Sequence, residues 1–551
     1  MLAGLLLAAA AAPQGAVASS EAHATAAGAE ILAAGGNAVD AAVATGFALA
    51  VTYPVAGNLG GGGFLLHRTA SGEAFFLDFR EVAPAAAHAA MYLDEEGHPR
   101  RRASLRGWLA AGVPGSVPGM AEAHRRWGRL PWARLLAPAI RLAEEGFPVS
   151  VAESESLGRA TDLRRDPLAA RRFYLPDGAP LPPGALLRQP ELAATLRAIA
   201  AEGDAAFRSG TIAEELAAAS AAGGGILGAA DLRDYRPELR PVQRIRWKGL
   251  TVLAPTAPSS GGLFLAQCLP ALERWPLRTW GWGDGRTAMV LGETTARAFA
   301  DRNRWLGDPA GFDFDPAALH APAHLARRFA GVAPGRWTPP SRLGEGAPPS
   351  ERVQTTHYSV VDSEGAACSV TTTLNGAYGA QVMAPGGFLM NNEMDDFAAA
   401  PGRPNQFGLV QGAYNAVAPG RRPLSSMAPV IVEKDGRVDA VLGSPGGPTI
   451  LTTVLQVLLN RYVFGMRPER AVAAPRFHRQ DRPPQVQYEA GRFDGPARLW
   501  LDQAGQPLRL RGGIGDVNAV FRRGGGWRAV ADPRRGGAAM VVERELAAEN
   551  R

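Results

Sequence analysis

Two hydroxyl residues, Thr355 and Thr373, are spaced so that a strand hairpin would bring them together. Thr356-His357-Tyr358-Ser359-Val360-Val361 alternates as a half-buried strand does. Asp362-Ser363-Glu364-Gly365 reads as a turn, and Ala366–Thr373 as a second strand. A three-residue loop, Ser363-Glu364-Gly365, puts Gly365 in the left-handed position, which glycine adopts at little cost. Counting back with Asp362 opposite Ala366, Thr355 falls opposite Thr373. Two hydroxyls then share one face at the open end of the hairpin. A threonine hydroxyl is a weak nucleophile and needs a base. No His/Asp pair is spaced to supply one. If the chain were cut before Thr355, its own α-amine would be that base, with a pKa of about 7.7–8.0. The plain alternative is that Thr355 and Thr356 are ordinary β-branched strand residues, and the hairpin alone does not exclude it.

The elements around this hairpin carry further candidates. Phe75-Phe76-Leu77-Asp78-Phe79-Arg80-Glu81 reads as a strand that delivers Arg80 to its end. A guanidinium is planar, always charged and binds carboxylate bidentately; a surface Arg–Glu pair is the alternative. The run Asn58–Phe64 holds four consecutive glycines. It lacks the Lys-Ser/Thr of a phosphate loop and does not open a helix, so tight backbone packing under a catalytic face is expected. Val430–Glu433 and Val438–Leu442 read as strands joined at Lys434-Asp435-Gly436. The second runs through Gly443-Ser444-Pro445-Gly446-Gly447 into a helix, Ile450–Tyr462. Glycines at a strand-to-helix turn present backbone N–H groups beside a helix N-terminus, the makings of an oxyanion hole; a plain turn is the alternative.

The remaining stretches read as elements around the site, Trp132–Ser150 as scaffold and residues 155–240 without chemistry. Glu21–Ala50 is helical, broken at Gly35-Gly36-Asn37. Gly112–Gly119 is turn-rich, Trp132–Ser150 is an amphipathic helix with a Gly-Phe-Pro stop, and Pro190–Glu202 and Ile212–Ala222 are helices. Pro255–Gly262 opens a helix with Ser259 and Ser260 as caps, and Thr287–Asp308 is a long helix. Trp337–Gln354 is rich in Pro, Gly and charge, a linker by composition.

The chain has 551 residues, 46% hydrophobic and 20% charged, enough for one large core or several domains. Its net charge of +6 comes from scattered basic residues, which argues for solvated surface and against nucleic-acid binding. Cys268 and Cys368 lie in apolar runs, so buried thiols are expected, without a disulfide framework or metal motif. Residues 2–12 look like the apolar core of an export signal, with no positive residue before it. The run is too short to cross a bilayer. A periplasmic or secreted protein is expected, with a cytoplasmic one as the alternative.

The segment Gln354-Thr355-Thr356-His357-Tyr358-Ser359-Val360-Val361-Asp362 resembles the start of the small subunit of γ-glutamyltranspeptidases (glutathione hydrolases), which are N-terminal-nucleophile hydrolases. Similar matches lie at Ala27–Ala44, Trp132–Ser150, Ala300–Pro309, Ala531–Gly537 and around Ser425 and Gly446. Gly15–Ser19 resembles the family's first core strand, which favours a signal cut nearer Ala10–Ala12 than at Ala16-Val17-Ala18.

The resemblance implies an α+β fold, a four-layer αββα sandwich. It implies a possible signal remnant over 1–14, a large subunit over 15–354 and a small subunit over 355–551, intertwined in one domain. It implies self-cleavage between Gln354 and Thr355, with Thr355 then the nucleophile. By the same resemblance Thr373 bonds the nucleophile and Gly446 and Gly447 hold the oxyanion. Arg80, Ser425 and Ser426 hold a substrate α-carboxylate; Asn375, Glu393 and Asp396 hold its α-ammonium. The implied reaction passes a γ-glutamyl group from glutathione or related donors to water, amino acids or peptides, with no cofactor or metal. Departures from the usual pattern are Glu393 for a common Gln, which changes amine recognition only modestly, Phe407 for a lid tyrosine, which bears on gating, and Gln411–Asn415 and Gly515–Asn518, which bear on acceptor preference. Rival readings are an acylase of the same superfamily, acting on glutaryl side chains that lack the ammonium, and a non-catalytic binding relative.

Overall fold

Side chains of the central hairpin alternate between two apolar cores, and this alternation sets the layers of the molecule. The computed structural model describes residues 13–343, 353–400, 403–493 and 495–543. Its two large sheets are built from β1 (Pro13–Ser19), β2 (Gly62–Arg68), β3 (Ala74–Phe79), β4 (Glu238–Arg240), β5 (Val242–Trp247), β6 (Leu250–Pro255), β7 (Val353–Asp362), β8 (Ala367–Gly376), β9 (Val430–Lys434), β10 (Arg437–Gly443), β11 (Asn518–Arg523), β12 (Gly526–Ala531) and β13 (Ala538–Glu543). The first sheet runs β13-β1-β7-β8-β2-β3-β4 and the second β12-β11-β10-β9-β6-β5. Neighbouring strands in both are antiparallel.

Val17, Leu65, Tyr358, Val360 and Val370 turn outward, against the helices Ala22–Ala33 and Ala38–Thr52. Ala16, Phe64, Leu66 and Val361 turn inward, into a core shared with the second sheet. The helices Gly261–Glu273, Gly285–Trp305 and Thr449–Tyr462 cover that sheet's far side with Leu265, Leu291 and Val454. The layers are therefore helix, sheet, sheet, helix, the expected αββα sandwich.

Local chemistry explains the outer helices. Glu21 caps the first by accepting from the His23 and Ala24 amides at 3.0 and 2.9 Å. Asn37 and Asp40 form a capping box on the second. At Gly28 a Cβ would stand 2.3 Å from Thr45 Oγ1, so only glycine lets the pair pack this closely. The hairpin turn is tied to the same layer. Asp362 accepts from the Glu364 and Ala366 amides and from Ala38 N at the second helix's start. Gly365 has the expected positive φ of 86°.

Three readings change. Gly112–Gly119 is not all turn: a helix begins at Ser116 and runs to Trp127, because Pro118 fits its first turn and Gly119 lies flush on Phe79. The long helix is Gly285–Trp305, capped by Asp284. Asp308 lies beyond it, accepting from the Ala310 and Arg422 amides. Of the two serines, Ser259 accepts from Gly261 N at 2.9 Å, whereas Ser260 donates away, to Ser425 O at 2.8 Å. Gly15–Ser19 is strand, paired on both sides. The export-signal reading over 2–12 and most of the linker, 344–352, lie outside the described residues. Cys268 and Cys368 are free, buried thiols.

Candidate active site

Thr355 pairs directly with Thr373 across β7 and β8, and their Oγ1 atoms are 3.4 Å apart. Each is 3% exposed. On its other side Thr373 faces Gly62 of β2. The glycine run does what its sequence predicts: a Cβ at Gly61 would meet Thr373 O at 2.1 Å. Asn58 Nδ2 donates to the same carbonyl at 3.0 Å. Thr373 Oγ1 accepts from the Asn375 amide at 2.7 Å. Asn375, near the end of β8, has φ 74°, and its Nδ2 donates to Asn392 O.

His357, two residues along the strand, is no base for Thr355. Its Nδ1 meets Thr371 Oγ1 at 2.9 Å and its Nε2 meets Ser359 Oγ at 3.1 Å. Burial pushes its pKa down to about 3, so the ring is neutral and structural.

Arg80 follows the end of β3, as expected, but it is heavily engaged. Its Nη1 is 2.7 Å from Glu393 Oε2, and its Nη2 donates to Asp396 Oδ2 at 2.5 Å. Nε donates to Pro423 O at 3.3 Å, and Glu81 Oε2 is 3.6 Å from Nη1. The resemblance gave Arg80 one task and Glu393 and Asp396 another; the structure joins them in one ion cluster. Opposite charges in a buried site pair with one another, since leaving either alone is costly. Burial outweighs Arg80 for the acids. Glu81 is pushed up to about 8, and Glu393 and Asp396 are raised by the same desolvation.

Ser425 and Ser426 sit on an irregular stretch before β9. Ser425 is fixed by its backbone: its N–H donates to Pro258 O, and its carbonyl accepts from Ser260 N, both at 2.8 Å. Its Oγ accepts from Met427 N at 3.1 Å. Ser426 Oγ accepts from Arg302 Nη2 at 3.1 Å.

Strand β10 leads through Gly446 and Gly447 to the helix Thr449–Tyr462. Their φ values are 130° and 53°, and a Cβ on Gly446 would stand 2.4 Å from Thr449 Oγ1. Among the described residues no acceptor takes the N–H of either glycine, while the Gly446 carbonyl is held by Thr449. Two amides at a helix start are thus available to a developing oxyanion.

These groups line one cavity. It holds Thr355, Thr373, Asn375, Arg80, Glu393, Asp396, Ser425, Ser426 and Gly447, with Gly446 one residue outside it. Gln354 lies in the strand, but its side chain is outside the described residues. Sequence reasoning missed Arg302, Met427 and Ile450, which also line it; Phe407, noted as a departure, is there too. Arg302 stood within Ala300–Pro309, a stretch that resembles the family but was given no role. No periodicity marks it, because Asp301, Arg302 and Asn303 are all buried at the end of a helix that is buried nearly all round, polar residues included.

The model of the gamma-glutamyltranspeptidase family matches residues 24–542. A glutathione hydrolase proenzyme from Pseudomonas sp. (strain A14) is 44% identical over 482 residues, covering 87% of this chain and 84% of that one. One from Escherichia coli (strain K12) is 41% identical over 513 residues, covering 93% and 88%. Among solved structures, a cephalosporin acylase from Bacillus halodurans superposes with a TM-score of 0.84 at 25% identity, covering 98% of this chain and 99% of that one.

Proposed function

The chain belongs to the γ-glutamyltranspeptidase family, and from that premise we propose how its residues divide a self-processing γ-glutamyl hydrolysis and transfer. The chain is an enzyme of that reaction class. It cuts itself between Gln354 and Thr355, which frees the Thr355 amine. That amine takes the proton of Thr355 Oγ1 as the oxygen attacks the γ-carbonyl carbon. The N–H groups of Gly446 and Gly447 hold the oxyanion. The intermediate collapses to a γ-glutamyl ester on Thr355, and the departing amine carries the proton away. Water, or the amine of an amino acid or peptide, attacks the ester and restores the hydroxyl. Thr373 holds the nucleophile in line. Glutathione is the proposed donor.

Ser425, Ser426 and Arg80 take the substrate α-carboxylate, and Asn375, Glu393 and Asp396 take its α-ammonium. The Arg80 cluster supports this division, because a zwitterion can enter between its charges and exchange one set of ion pairs for another. A substrate lacking either charge leaves a buried partner unpaired, at a cost of about 1–3 kcal/mol or more. After cleavage the two pieces remain one heterodimer. The apolar run 2–12 supports an extracytoplasmic location; among the described residues no helix is long and apolar enough to cross a membrane.

One observation carries the reading: Thr355, at the proposed cut, meets Thr373 across the strand pair at 3.4 Å. Denaturing gels of the purified chain and of Thr355→Ala, followed by turnover of γ-glutamyl-p-nitroanilide, test it. The native chain gives two bands, with a new N-terminus at Thr355, and activity; the variant stays whole and inactive. The acylase neighbour defines the competing outcome. Two bands with turnover of glutaryl-p-nitroanilide but not of the γ-glutamyl compound would replace this reading with an acylase.

A further inference from the structure

The charges at the carboxylate end of the site do not balance on Arg80 alone. That guanidinium faces three buried carboxyls, those of Glu393, Asp396 and Glu81. An arriving carboxylate would find the cation already shared, and Ser425 and Ser426 bring no charge. Arg302 lines the same cavity and is 2% exposed. Among the described residues no carboxylate lies within ion-pair distance of it. Its hydrogen bonds go to neutral oxygens: Ser426 Oγ at 3.1 Å, Asn303 Oδ1 at 2.8 Å and Ser260 Oγ at 3.3 Å. Burial lowers its pKa to about 10, so it remains a cation at neutral pH. Asp396 and Asp481 act on it only from beyond contact distance; a buried cation with no carboxylate in direct contact is costly to keep, which marks it as a functional group.

We propose that Arg302 is a positioning residue for the α-carboxylate end of the substrate, acting through Ser426. A hydroxyl has one hydrogen to give and two lone pairs. By donating to Ser426 Oγ, Arg302 occupies a lone pair and leaves the Ser426 hydrogen to point at the substrate. Through Nε it also holds Ser260, whose hydroxyl donates to Ser425 O at 2.8 Å. One guanidinium thus braces both serines and adds the positive charge that Arg80 shares out. The proposal rests on the γ-glutamyl reading above and names a further residue of that same site.

The test compares three p-nitroanilides: γ-glutamyl, glutaryl (no ammonium) and 4-aminobutyryl (no α-carboxylate). With Arg302→Gln, KM for the two carboxylate-bearing substrates rises about 10–100-fold, as for a lost charged hydrogen bond. Their kcat stays within a few-fold, and the 4-aminobutyryl compound is unaffected. Arg302→Lys restores part of the loss, and in a Ser426→Ala background Arg302→Gln costs much less. An equal loss on all three substrates, or no loss, overturns the proposal. If Arg302→Gln arrives unprocessed, the Lys variant carries the same three-substrate comparison. A wild-type chain inactive on every substrate would overturn the γ-glutamyl reading instead.

Discussion

A hydroxyl that must attack at neutral pH needs a proton acceptor within reach, and the surroundings of Thr355 offer little besides its own amine. His357 has both ring nitrogens engaged and is held neutral. Thr373 has a different task. It accepts from the Asn375 amide and meets Thr355 at the long end of hydrogen-bond distance, so in the proposed mechanism it orients Thr355 and abstracts no proton. Thr373→Val keeps the shape and removes the hydroxyl. The expected result is a fall in kcat of about tenfold, the value of one hydrogen bond, with KM little changed; steady-state kinetics on γ-glutamyl-p-nitroanilide check it. Loss of KM alone would move Thr373 to substrate binding. Much of this was legible in the sequence, because strand pairing is arithmetic: a turn at Gly365 fixes which residues face each other. Arg80 was legible as a cation delivered at the end of an apolar strand. Its pairing with Glu393 and Asp396 was not, since ion pairs between distant segments leave no local pattern, and Arg302 was hidden for the same reason.

Among elements, the last residues of β8 and the turn after it link the site to the outer helices. Asn375 and Tyr378 both have positive φ there, 74° and 58°. Tyr378 is buried and donates its hydroxyl to Glu153 Oε1 at 2.9 Å, on the helix Val151–Arg159. Burial pushes Glu153 up to about 7. Its folded pKa is thus above its unfolded value of about 4.3, so the native state binds the extra proton. The stability this contributes is complete below pH 4 and is lost as pH rises through about 7. His67, His357 and His478, depressed to about 4, 3 and 4, work in the opposite sense, losing stability as pH falls below about 6.5. The measurement is therefore a difference. Melting temperatures of the wild type and Glu153→Gln, compared from pH 5 to 8, should diverge in favour of the variant as pH rises. A constant gap would mean that Glu153 does not titrate in this window. The sequence announced these elements where a cap or periodicity marks them. It misread Gly112–Gly119, where proline and glycine suggest a turn, because a helix can begin on proline and use glycine to approach Phe79.

For the whole molecule, the proposed cut falls inside the fold and not at its edge. Residues before Thr355 supply β1 to β6, and residues after it supply β8 to β13 and nearly all of β7. The two sets interleave. Strand β1 lies between β13 and β7, β2 pairs with β8, and β6 pairs with β9. Both apolar cores draw on both sides of the cut. Neither piece has a complete sheet, and separating them would expose strand edges and core faces to water. The cut therefore frees an amine without dividing the structure. The processed enzyme should elute from a sizing column at the volume of the uncut Thr355→Ala chain and unfold in one transition, its two bands parting only in denaturant. Separate elution, or two transitions reporting on different pieces, would mean that the halves are independent domains and that the linker alone held them together.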